Sequence, residues 1–446
     1  MKATPLAVWI PAIAALFSIP LIASFVSTAI AERQWQAAKA EAVAANVPLD
    51  MRSALNGYAP GPPAQNAAEG VKAVLRSILE KSRPGSTEFQ PPWKAPYKEA
   101  KNTIDEEFTR ASKAEDQPNP MVLMMHLRSF EAPLHQYDRA IDLPDWNFDR
   151  PWHLGLAMLL PDFAHIKSIC KLLGARAIAA AYLGDKKLAL RSIRSLIRTG
   201  NHLQTEPSLI GALVGVSCQN IAYQAALDIV RIRPTDFAFN AEVRKIIESE
   251  LVEVDWRRIW SADSVMMIES LDDFTTQEGL RNLGYKDDDR VGPKSRRQML
   301  ETKAQIARVL TKANKVWTQE PTEEAAVERI SREFGNELAD IYGSFDDVIS
   351  SLSGPADAFQ NLLKARGELE ARRRLTCLAL DALRNGDKPP SSMSSPDWQD
   401  PFTSKPFKFK REQKGFLIYS IGPDLVDDGG VKGSGDEPRD IVVQFP

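Results

Sequence analysis

The first 31 residues contain almost no polar positions. After Met1 and Lys2, the stretch ATPLAVWIPAIAALFSIPLIASFVSTAIA is uncharged from Ala3 to Ala31, longer than the roughly 20 residues a helix needs to cross a bilayer. Pro5, Pro11 and Pro20 would damage a helix in water but are tolerated inside a membrane. The pattern predicts an N-terminal membrane helix over residues 1–31, continued by a charged, alanine-rich helix in ERQWQAAKAEAVAA from Glu32 to Ala45. Glycine and proline then crowd NGYAPGPPAQNAAEG, Asn56 to Gly70, which reads as a turn-rich connection. Val71, Val74, Leu75, Ile78 and Leu79 return at three- and four-residue intervals, so a helix is expected over residues 67–81. The Pro-rich RPGSTEFQPPWKAPY ends it.

The strongest helical periodicity lies between Ser168 and Val230. In LLGARAIAAAYLGDKKLALRSIRSLIRTG, Gly184 can take the left-handed conformation that closes one helix. Asp185 can accept amides in the first turn of the next and complement the positive end of its dipole. The A-x-x-x-G-D-x-x-x-A-L order resembles the hairpin of tetratricopeptide-like repeats, although only one such unit occurs. Gly211 and Gly215, in G-x-x-x-G spacing, suggest close helix packing. Further helices are expected near residues 242–253, 257–273, 296–317, 322–352 and 356–384, with LGYKDDDRVGPKS as a loop. β-Structure is expected only at the end, in KPFKFKR, GFLIYSI and DIVVQF, whose apolar or alternating runs are separated by turn residues. The fold class is therefore mainly α. A helical and Pro-rich connecting region covers residues 32–120, a helical domain with its hairpin covers 121–355, and a helix with a small antiparallel β module packed on it covers 356–446.

Composition narrows the function without supplying one. With 56 basic and 59 acidic residues in 446, the net charge of -3 gives no general attraction to nucleic acid. Cys170, Cys218 and Cys377 are too few and too scattered for a disulfide scaffold or a zinc motif, and read as buried thiols. The chain has no G-x-S-x-G, P-loop, H-E-x-x-H or dinucleotide fingerprint, so the common hydrolase, nucleotide and zinc-protease readings lack local evidence. His126, His135, His153, His165 and His202 never share a helical face at metal-binding spacing. The charged start and the AIA at Ala29–Ala31 also resemble a signal peptide. A retained signal-anchor places the protein in a bacterial inner membrane with its bulk extracytoplasmic, and a cleaved signal releases it to the periplasm.

Two groups of residues are candidate sites. Lys187, Arg191, Arg194 and Arg198 recur every three or four residues and so share one face of the second hairpin helix. They form either a solvated face or a contact for an anionic ligand or acidic partner. The second group follows from a resemblance. DPFTSKPFKFK, GFLIYSIGPD and DIVVQF, preceded by the helix in ARGELEARRRLTCLALDALR, are similar to the C-terminal headpiece of the major type II secretion pseudopilins, over residues 365–446. The N-terminus lacks that family's G-F-T-L-x-E processing motif, and a long helical region intervenes. The whole arrangement also resembles uncharacterised bacterial membrane-anchored envelope proteins. The pseudopilin resemblance implies a calcium site, with Asp424 as first ligand and Asp427, Asp428, Asp436 and Asp440 as helpers, since hard oxygen ligands on a flexible loop suit that ion. A metal-free hairpin exit and a catalytic acid pair are the alternatives. The expected role is a membrane-tethered interaction or scaffold protein with an envelope protein partner. The alternative is an envelope hydrolase whose histidines and carboxylates converge only in the fold.

Overall fold

The computed structural model describes residues 6–55, 58, 62–82, 120–158, 160–250, 252, 254–286, 293–321, parts of 325–341, 355–413, 415–431 and 440–445. Its helices are α1 (Leu6–Ala44), α2 (Met51–Ala54), α3 (Ala67–Ser82), α4 (Pro120–Leu127), α5 (Glu131–Ala140), α6 (Pro161–Leu183) and α7 (Lys186–Thr205). They continue with α8 (Leu209–Ile232), α9 (Phe237–Ser249), α10 (Trp256–Ser270), α11 (Gln277–Asn282), α12 (Arg296–Gln319) and α13 (Pro355–Arg384). Three strands close the chain: β1 (Lys408–Arg411), β2 (Phe416–Ser420) and β3 (Ile441–Phe445). The protein is thus mainly helical with a small antiparallel sheet at its C-terminus.

The chain folds as two compact units, each assembled from separated segments. The first contains residues 1–57, 151–159 and 255–359, and the second contains 58–150, 160–254 and 360–446.

In the first unit α1 is a single helix of 39 residues, carrying the N-terminal apolar run and the charged alanine-rich segment without a break. Its side chains are described from Ala23 onward. The side chains of most of the run that carries the membrane expectation therefore go undescribed, and among the described residues no helix is long and apolar enough to cross a membrane. The inner half of α1 packs on α12. Ala38 is fully buried with Ala304 and Ala307, and Trp35 and Leu49 cover them. Small side chains bring the two backbones close, and the helices run parallel: Glu32 pairs with Arg296 at one end, and Asn314 Nδ2 donates to the Ala45 carbonyl at the other (2.9 Å). Gly155 fixes the short helical segment Trp152–Ala157 against α10. It has a φ of +51°, and a Cβ there would lie 2.1 Å from Ser270 Oγ, the oxygen that accepts the Leu156 amide (2.8 Å).

The second unit is built on α6, α7 and α8. Gly184 closes α6 at φ 83°, and the Asp185 carboxylate accepts the Leu188 amide (3.0 Å), as the sequence predicts. α7 and α8 cross where two glycines meet: a Cβ on Gly215 would stand 2.7 Å from the Gly200 carbonyl oxygen. Gly211 instead sits at the start of α8 beside Ser208, Glu206 and Leu203. Next to the crossing, Gln204 Nε2 donates to Gln219 Oε1 and Gln219 Nε2 to Asn201 Oδ1, so the buried amides satisfy one another. α9 begins at Phe237, before the expected residue 242, because Asp236 accepts the Phe239 amide and caps it.

The sheet has the order β1-β2-β3, with Phe416 opposite both Arg411 and Phe445. Every residue of β2 is buried, as a central strand covered on both faces requires. β1 starts at Lys408 rather than at the beginning of KPFKFKR. α13 holds the connection ahead of the sheet, with Gly367 against the Phe402 ring and Arg374 donating to the Gln399 carbonyl. A contact to the sheet itself comes from α8, whose Arg231 donates to the Gln444 carbonyl (3.0 Å) and lies over the Phe445 ring.

Candidate functional site

The basic stripe on α7 meets carboxylates of its own unit. Lys187 is exposed. Arg191 donates to both oxygens of Asp142 (3.1 and 2.7 Å) and to the Asp138 carbonyl. Arg198 bridges Asp142 (2.5 Å) and Glu250 (2.8 and 3.0 Å), and its hydrogen bonds to Glu250 raise its pKa above the ordinary value. Arg194 Nε stands 3.2 Å from Glu250 Oε1, an ion pair without hydrogen-bond alignment. The face is half-buried and clamps the α5 end and the α9 end to α7. Behind it Arg176 Nη2 donates to both oxygens of Asp138 (2.8 and 2.9 Å), Ser192 Oγ accepts from Arg176 Nε, and Ser195 Oγ donates to Asp138.

A second polar cluster carries no signal in the sequence. Glu206, fully buried just after α7, accepts from Trp146 Nε1 (2.7 Å) and from Arg150 Nε (2.6 Å). Arg150 also forms a two-point pair with Asp162 (3.0 and 2.8 Å) and lies over the rings of Phe163 and Phe148. Burial raises the Glu206 carboxyl pKa despite the guanidinium beside it. His202 stacks on Trp146 with centroids 5.2 Å apart, and burial lowers its pKa. Residues 56 positions apart in sequence meet here, which no local spacing could have announced.

The remaining histidines lie on four different elements. His126 and His153 are exposed, in the second and first unit respectively. His135 lies near Glu131 and Asp138 on α5, and His165 is half-buried on α6, where burial lowers its pKa.

In the C-terminal loop the carboxylates act mainly as local caps. Asp424 accepts the Val426 amide (3.1 Å). Asp427 accepts the Gly429 amide and the Tyr419 hydroxyl, with Lys408 Nζ 3.8 Å away. Asp428 is exposed, and Asp436 lies outside the described residues. Asp440 is buried. Its Oδ2 accepts the Gly430 amide (2.6 Å) while Oδ1 has no hydrogen-bond partner among the described residues. Burial, reinforced by the charges of Asp427 and Asp428, raises its pKa above the carboxylate norm. Among the described residues no three His, Cys, Asp or Glu side chains converge on a point that could hold a metal ion.

No known protein family, curated protein or solved structure matches the chain.

Proposed function

We propose that the protein is an extracytoplasmic interaction or scaffold protein, tethered to a bacterial inner membrane through the outer part of α1. The observation that carries this reading is the group of exposed apolar side chains in the outer part of that helix. Phe25, Val26 and Ile30 are 76%, 48% and 51% exposed, beyond the point where Ala31, Ala38 and Ala42 bury one face of the helix. Exposed apolar side chains grouped on one element mark a surface with a partner, and the uncharged run of which they are the end suits a bilayer. The helix passes unbroken through Ala29–Ala31 with Ala31 buried, which favours a retained anchor over a cleaved signal. Scaffolding is favoured over hydrolysis because the buried acids Glu206 and Asp138 are engaged by Arg150 and Arg176 inside the fold. An envelope protein is the partner this reading implies.

Expression in a bacterium with fractionation tests the tether. The expected result is full-length protein in the membrane pellet after an alkaline wash, with its C-terminal part digested in spheroplasts and protected in intact cells. Full-length protein in the soluble fraction would overturn the reading, and a shortened soluble product would replace the anchor by a cleaved signal.

A further inference from the structure

We propose that Arg33, Arg296 and Arg297 form a basic collar that seats the first unit on the anionic headgroups of the bilayer entered by α1. This rests on the tether reading and specifies the surface it uses. The collar is not contiguous in sequence. The parallel packing of α12 on α1 creates it, by bringing the first turn of α12 level with the turn of α1 that follows Ile30: Arg296 Nη2 lies 3.7 Å from Glu32 Oε2, two residues beyond Ile30.

The vertical spacing fits a membrane surface. Three residues of helix separate Ile30 from Arg33, about 4.5 Å at 1.5 Å per residue. The headgroup layer on one side of a bilayer is roughly 5–7 Å deep. With Ile30 at the hydrocarbon boundary, Arg33 and the adjacent α12 arginines reach phosphate level.

The arginines are open to such a partner. Arg33 is exposed, and the side chains of Arg296 and Arg297 are 76% and 51% exposed. Among the described residues their acidic neighbours are Glu32, 3.7 Å from Arg296, and Glu301, one turn further along α12, which accepts from Arg297 Nε (2.8 Å). Asp272 is turned to Lys303 (2.7 Å). Among the described residues, three guanidinium groups at this end of α1 and α12 therefore stand beside two carboxylates, Glu32 and Glu301. Guanidinium groups bind phosphate oxygens in two-point fashion, and each basic residue near an anionic membrane adds about a fivefold gain in affinity.

The test reconstitutes the full chain into vesicles of phosphatidylcholine alone or with added phosphatidylglycerol. Exposed Pro293 is replaced (Pro293→Cys) and labelled with a fluorophore, the three native cysteines being buried. A quencher attached to lipid headgroups then reports how closely the start of α12 approaches the surface. Quenching is expected to rise about twofold or more when phosphatidylglycerol is present, and the rise should vanish in Arg33→Glu/Arg296→Glu/Arg297→Glu. Equal quenching in both lipids, with the protein floating with the vesicles, would overturn the collar and leave the tether standing. Protein that floats with neither vesicle would overturn the tether, and the collar with it.

Discussion

His202 and Glu206 show what burial does to ionisable side chains one turn apart. The imidazole stacks on Trp146 and has a lowered pKa, so the folded protein binds its proton less readily than the unfolded chain does. The stability this contributes is complete above the ordinary value of 6.5 and is lost as pH falls through it toward the folded-state value. Melting temperature between pH 7.5 and 5 should therefore drop in the native protein, and the drop should be shallower in His202→Gln. Glu206→Ala would strand the guanidinium of Arg150 and the indole of Trp146, and is expected to cost about 3–5 kcal/mol in chemical denaturation, as breaking a buried pair does. Asp440 has the opposite linkage to His202. Its raised pKa means that the ionised form is disfavoured in the fold, so the penalty is present at neutral pH and disappears as pH falls through the folded value toward 3.8. Asp440→Asn should raise the melting temperature at pH 7, with the gain fading in acid.

Elements were legible where local chemistry decides them. Gly184 and Asp185 announce a helix end and a helix start from two adjacent residues, and both work as read. Asp185→Ala should lower stability by about 0.5–2 kcal/mol, measured as a shift in denaturation midpoint at constant slope. The three strands were equally readable from their alternation and turn residues. The cover for the sheet was less so. Proximity in sequence points to α13, whereas Arg231 reaches the sheet from α8, about 210 residues away from Gln444, and contacts of that range leave no periodic trace. The same reason hid the Trp146, Arg150 and Glu206 cluster. The basic stripe on α7 illustrates a different gap: its helical spacing was plain, but the carboxylates that meet it, Asp142 and Glu250, lie beyond the helix and outside any window that would show them.

At the scale of the molecule, the two units interleave along the chain. The second needs its last segment, because Arg231 is bonded to Gln444 and Arg244 pairs with Asp381 across α9 and α13. Residues 58–254 joined by a flexible linker to 360–446 should therefore fold cooperatively, while 58–254 alone should lack a sharp thermal transition by circular dichroism. A sharp transition in the shorter fragment would show that the C-terminal segment is an ornament on an independent helical body.

The seam between α1 and α12 also has a history in time. About 265 residues separate Ala38 from Ala304, and at roughly 5–20 residues per second the ribosome needs on the order of 13–50 s to supply the second after the first. For that interval the alanine face of α1 has no α12 to cover it, so the nascent chain presents a waiting helix that a chaperone or insertion factor can hold. A slowed ribosome lengthens that window, and the yield of correctly assembled first unit should depend on translation speed more steeply than that of the second unit's α6–α7 hairpin, whose two helices are completed within seconds of each other.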